Sequence, residues 1–346
     1  MKKTSKYLLL LGMLFLLSLC AAMLLVIVVD PFFQYHKPLD GINYTIDNQL
    51  SQNPGIAKNF DYESVVLGSS MTNNFDTNLF YDTMGLQTVK LCYNGAYPKD
   101  IHNIMALVQD SPNKIEEVFL GVDIFTYKAT PGMVAYAIPE YLYDRNPFND
   151  VYYVFNKDVI LDYIILPHPN TPINEMYWFW QGSTYGKESV LATYQAPTEV
   201  LPALSDDYYA ENITENLESY ILPYIRQMPD TKFTVFFPPY SVLYWYSRYA
   251  DGSLEAEIQG QKQIIETLLQ YPNVRVFYFQ NDFDFITDFD NYSDYTHFSH
   301  EMNDYMTECF ANGTNEITLS DYEETLDTMK EWLLNQDLSK YLGGSI

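Results

Sequence analysis

The chain has 346 residues, 45 of them acidic and 19 basic, for a net charge of −26. That balance excludes nucleic acid as a partner, because binding a phosphate backbone needs a basic face. It also disfavours strongly polyanionic polymers, unless divalent cations or a local basic cluster such as Lys58 and Lys99 intervene.

Lys2, Lys3 and Lys6 precede an uncharged apolar run, Tyr7 to Val29, closed by Asp30-Pro31. At ~1.5 Å rise per residue such a run crosses ~30 Å of hydrocarbon as one helix. The basic flank places residues 1–6 in the cytoplasm and the rest outside, giving a single-pass protein of the cell membrane with an extracytoplasmic domain. A cleaved signal peptide is the rival reading, but Cys20-Ala21-Ala22 is followed by more apolar chain. A lipoprotein site at Cys20 is opposed by the bulky Leu19 before it.

Residues 30–60 hold Pro31, Pro38, Gly41, Pro54 and Gly55, and read as an extended juxtamembrane segment. From residue 61 onward strand-like and helix-like stretches alternate. β-prone runs fall at Ser64–Leu67, Thr88–Tyr93, Glu117–Val122, Phe233–Phe237 and Val274–Phe279. Helical patterns fall at Thr72–Thr83, Lys99–Gln109 and Leu254–Gln270. This alternation predicts an α/β domain over 61–346, a mainly parallel sheet covered by helices on both faces in a three-layer α/β/α sandwich. It lapses at about 125–207, which reads as an aromatic-rich insertion over the carboxyl ends of the strands, or as a separate small domain. The 32 tyrosines suit stacking on sugar faces and core filling equally. The three cysteines form no disulfide framework, and without a Cys-x-x-Cys or His-Glu-x-x-His pattern neither a zinc site nor a cofactor is implied.

Two short motifs carry chemistry. Gly68-Ser69-Ser70 follows the first strand, where the chain enters a helical stretch. Asp294-Tyr295-Thr296-His297 sets a carboxylate and an imidazole three residues apart before another helix. A serine at a strand-to-helix turn, a histidine base and an aspartate that orients it are the parts of a serine esterase or acyltransferase. The bland alternatives are a serine N-cap, an Asp294 cap on the helix near Ser299, and a metal site formed by Asp294, His297 and His300.

These motifs resemble the first and last sequence blocks of the SGNH (GDSL-like) hydrolase superfamily. The layout of one anchor, Gly-Ser-Ser and a late Asp-x-x-His is similar to DltD-like and alginate-acetylation-type members that modify surface polymers. The resemblance implies Ser70 as nucleophile, His297 as base and Asp294 as its orienter, with Ser69 in place of the usual aspartate. Leu91–Tyr97 resembles the second block, so a backbone N–H of Gly95 or Ala96 becomes an oxyanion donor. The third block, normally Gly-x-Asn-Asp, reads Gly121-Val122-Asp123 here. A carboxylate there would repel an oxyanion unless protonated or turned away, with Asn94 or Asn74 substituting. Tyr240 and Ser241, after the fourth strand, are candidates for a cleft wall. The implied function is acyl transfer or ester hydrolysis on a cell-surface polysaccharide or teichoic-type polymer, without a cofactor, beside a membrane-bound O-acyltransferase partner. The alternative from another class is an inactive SGNH-fold module that binds glycan or scaffolds an envelope acylation complex.

Overall fold

The computed structural model describes residues 2–166, 169–336 and 341. Six strands form one sheet: β1 (Ser64–Leu67), β2 (Thr88–Lys90), β3 (Glu117–Gly121), β4 (Lys232–Phe237), β5 (Val274–Tyr278) and β6 (Glu316–Ile317). Their order is β2-β1-β3-β4-β5-β6. The first five run parallel, with Val65 opposite both Val89 and Val118, and β6 closes the edge antiparallel to β5. Every residue of β1, β2 and β3 is buried. That is why these runs lack the polar alternation of a half-exposed strand. Sequence pattern located five of the strands; the two-residue β6 is too short to leave a periodic signal.

Nine helices have eight residues or more among the described residues: α1 (Lys2–Val29), α2 (Gln49–Asn59), α3 (Thr77–Met84), α4 (Pro98–Gln109), α5 (Ala210–Tyr220), α6 (Val242–Ala250), α7 (Leu254–Leu268), α8 (His300–Asn312) and α9 (Tyr322–Leu334). The α8 residue Phe310 packs against Phe119, Phe236 and Phe277 of three adjacent strands at centroid distances of 5.4, 5.1 and 5.2 Å. Tyr278 donates from β5 to Gln261 of α7 at 3.0 Å. Adjacent strand residues point to opposite faces, so Phe277 and Tyr278 direct α8 and α7 to different sides of the sheet. The many aromatic residues therefore fill core positions to a large extent.

The expectation of an extended segment over 30–60 is corrected. Residues 52–57 of α2 are buried in the core. The Pro-Gly pair that looked like a turn signal has a packing reason. Pro54 removes the N–H that would bond the Leu50 carbonyl, and that carbonyl accepts the Tyr143 hydroxyl at 3.0 Å instead. A Cβ on Gly55 would lie 2.0 Å from the Phe32 carbonyl oxygen, so the approach of that backbone demands glycine.

The chain leaves β1 for β2 on one side and returns to β3 on the other. Such a reversal opens a crevice at the carboxyl ends of the two central strands, and ligands of parallel α/β sheets bind there. Ser70 follows β1 and Asp123 follows β3.

Candidate functional site

Gly68 takes the chain off β1 at φ +149°, where a Cβ would lie 2.6 Å from Thr72 Cγ2. Ser69 is buried and its hydroxyl accepts the Met71 N–H at 3.3 Å, the role of an N-cap. Ser70 begins a single 3₁₀ turn, Ser70–Thr72, and its side chain reaches a cavity. The helix expected over Thr72–Thr83 begins only at Thr77, because Asp76 caps it by accepting the Asn78 N–H at 2.9 Å. A full helix dipole is therefore not aimed at Ser70. The tight turn has another effect, since side chains at i and i+3 of a 3₁₀ turn eclipse. Asn73 consequently joins Ser70 on the cavity wall.

The Ser70 hydroxyl lies 2.8 Å from His297 Nε2. His297 Nδ1 lies 2.7 Å from Asp294 Oδ2. Asp294 Oδ1 accepts the N–H groups of Thr296 and His297 at 2.7 and 2.8 Å and the Thr296 hydroxyl at 2.9 Å. One carboxylate thus closes the local turn and orients the ring. Burial pushes its pKa up, but the His297 ring and these N–H donors outweigh burial and hold it well below the usual carboxylate range. An ionised carboxylate only accepts, so Nδ1 carries the ring proton and Nε2 is free to take one from Ser70. The helix near Ser299 starts at His300 without help from Asp294. His300 stacks on Trp180 at 3.9 Å and lies 3.1 Å from Glu301, and among the described residues Asp294, His297 and His300 do not form a group that could hold a metal ion.

The other expected residues divide sharply. Asp123 is buried, absent from the cavity lining, and accepts the Tyr240 hydroxyl. Burial raises its pKa, offset in part by the Ser69 and Tyr240 hydroxyls and by His297. Tyr240 is therefore a buried support rather than a wall. Ser241 is likewise buried and donates to the Tyr295 carbonyl at 2.6 Å, bracing the turn that carries His297. Asn74 is buried and accepts the Phe179 N–H at 3.2 Å, so it holds a cavity residue instead of lining the cavity. Asn94 does line it: its backbone N–H goes to Gln49 Oε1 at 2.9 Å and its side-chain oxygen accepts the Asn73 amide at 2.7 Å, which leaves its side-chain N–H groups as candidate donors. The Ala96 N–H goes to the Tyr93 carbonyl at 3.1 Å, and neither Gly95 nor Ala96 lines the cavity, so the expected backbone donor on that loop is not brought to Ser70.

Sequence reasoning missed Asn73. Its Oδ1 accepts from Gln49 at 2.9 Å and from Cys92 at 2.9 Å, and its amide donates to Asn94 at 2.7 Å. The amide's second N–H has no protein partner among the described residues and is a candidate oxyanion donor. Its spacing of three from Ser70 was the available signal. Beneath this turn Lys90 is fully buried, donating to the carbonyls of Asn73 and Phe75 at 2.7 and 2.8 Å.

The cavity has a volume of about 960 Å³ and is lined by Ser70, Asn73, Asp294 and His297 together with Trp178, Phe179 and Gln181 of the interval 125–207. Phe179 meets the His297 ring edge to face at 5.7 Å. The lining has three carboxylates, Asp47, Glu175 and Asp294, and no lysine or arginine among the described residues. Lys58 and Lys99 are engaged elsewhere, on the Leu142 carbonyl and the Tyr220 ring. A site of this kind can activate a hydroxyl nucleophile beside an aromatic, hydrogen-bonding cleft. No family model matches the chain, and no curated protein matches it.

Proposed function

We propose that the protein is an SGNH-like serine enzyme that moves acyl groups to or from hydroxyls of a cell-surface polysaccharide, tethered by α1 with its domain outside the membrane. In this reading the helices carrying Phe310 and Gln261 belong to the two outer layers of a three-layer α/β/α sandwich with flavodoxin-like strand order. The observation that carries the proposal is the relay from Ser70 through His297 to Asp294, assembled from residues 227 positions apart.

Ser70 Oγ attacks the acyl carbonyl as its proton passes to His297 Nε2. The carbonyl oxygen takes the negative charge, with the side-chain amides of Asn73 and Asn94 as candidate donors. Collapse expels the donor alcohol, which takes the proton from His297, and leaves an ester on Ser70. A sugar hydroxyl or water then attacks that ester, giving its proton to His297, and Ser70 leaves with the proton returned. Asp294 stabilises the imidazolium in both halves.

The anionic lining suits a neutral glycan better than a phosphate-rich teichoic-type polymer. A membrane-bound O-acyltransferase is the expected supplier of acyl groups to an enzyme tethered in this way. Reaction with a fluorophosphonate tests the proposal, since only an activated serine is labelled. Labelling at Ser70 supports it, whereas an unlabelled, folded protein returns the reading to a non-catalytic glycan-binding or scaffolding module.

A further inference from the structure

The end of α1 is fastened to the domain. Met23, Val26 and Ile27, one face of its last turns, pack into a small second core with Leu142, Val154 and Val159. The buried Asp30 accepts the N–H groups of Gln34, Tyr35 and His36 at 2.9, 2.6 and 3.0 Å and the Tyr153 hydroxyl at 2.8 Å. The chain thus wraps around one carboxylate where α1 ends.

The span Thr4–Val29 has 26 residues. That is ~39 Å of helix against ~30 Å of hydrocarbon, so the outer end reaches the headgroups. Tyr153, Val154, Val159, Ile160, Tyr163 and Ile164 belong to the same cluster as Met23, Val26 and Ile27 at that end. In the same stretch Phe148 is 90% exposed, Tyr152 67%, Leu161 48% and Ile165 59%, interspersed with the exposed Lys157, Asp158 and Asp162. An aromatic and aliphatic surface held beside the outer end of a membrane-spanning helix matches the bilayer interface, where tyrosine and apolar side chains are favoured.

We infer that residues 148–165 form an interfacial anchor that rests in the headgroup region of the bilayer α1 crosses. This inference rests on the membrane reading of α1. The occupant is lipid, because this stretch packs against the last turns of α1, whose outer end lies in the headgroups. The anchor also bears on the cleft: Tyr163 lines the cavity, donates to Asp47 at 2.9 Å and packs edge-on against Phe32 at 5.0 Å. The candidate active site is therefore held beside the membrane surface, within reach of a substrate presented from it.

The test uses the full chain with Cys20→Ser, reconstituted into phosphatidylcholine–phosphatidylglycerol vesicles. An environment-sensitive fluorophore is placed on a cysteine substituted at Phe148, at Ile165 or, as a control, at Leu319 after β6. Carbonate-resistant protein should show blue-shifted emission at 148 and 165, quenched by doxyl lipids, with neither effect at 319. Resistant protein whose labels at 148 and 165 report water overturns the anchor alone. Labels that leave water only when a membrane protein is co-reconstituted also overturn it, assigning the surface to a protein. Protein stripped by carbonate overturns the membrane reading of α1 and the anchor with it.

Discussion

Tyr240 donates its hydroxyl to Asp123 inside the protein, so this carboxylate does not share the cavity with Ser70. Because burial raises the Asp123 pKa, its ionisation works against the fold. The stability associated with the protonated acid is full below the unfolded value of ~3.9 and lost as pH rises through the higher folded value. Asp123→Asn should therefore melt higher than the native chain at pH 7 and above, with the difference shrinking towards pH 4. Fluorophosphonate labelling should be retained. A folded variant that labels at less than about one tenth of the native rate would place this carboxylate in the chemistry.

Ser69 and Ser70 separate by environment. Ser70→Ala should abolish fluorophosphonate labelling, and His297→Ala should lose about as much activity, ~10²–10⁴-fold or more, since the two act as a unit. Asp294→Ala should cost less than His297→Ala in rate, and it should also loosen the turn that accepts the Thr296 and His297 N–H groups. Ser69→Ala should keep labelling and lose ~1 kcal/mol of stability with its cap. An inactive Ser69→Ala beside an active Ser70→Ala would shift the nucleophile by one residue. Circular dichroism checks that each variant is folded.

Burial pushes the Lys90 ammonium down to about 7, with Cys92, Asp76 and Glu175 opposing the shift. The unfolded chain then binds the extra proton between pH ~7 and ~10.4, so Lys90 raises stability as pH climbs through that window. The neutral amine still has two hydrogens for the Asn73 and Phe75 carbonyls. Lys90→Met leaves both unmet, at ~1–3 kcal/mol each. Urea titrations should show the native chain gaining on the variant between pH 6.5 and 9. A gap that narrows with pH would contradict this sign.

Helix propensity alone has Gly55→Ala stabilising α2 by ~1 kcal/mol. The Phe32 carbonyl oxygen, 2.0 Å from the added Cβ, reverses that expectation. The variant should lose ~1–3 kcal/mol or more by thermal or urea unfolding. A gain in stability would mean that the Phe32–Phe33 backbone yields easily.

Much of the scaffold was legible because strands and helices write their period into the chain. Val65–Leu67 and Val235–Phe237 are apolar without alternation since both faces are covered, and the long uncharged run before Asp30 needs no tertiary context to read as a helix. The pairing of Gly68-Ser69-Ser70 with Asp294-x-x-His297 was likewise visible as residue types at a spacing. Tertiary structure decided which way those side chains face. Asn73 reaches the cavity because the turn after β1 is 3₁₀, and Asp123 turns inward because Tyr240 supplies a buried donor. Pro54 and Gly55 lie inside a buried helix because Tyr143 and the Phe32–Phe33 backbone come to them from elsewhere in the chain. Local sequence specifies the period of an element, whereas the partner of each polar group is chosen by segments that meet only once the sheet has closed.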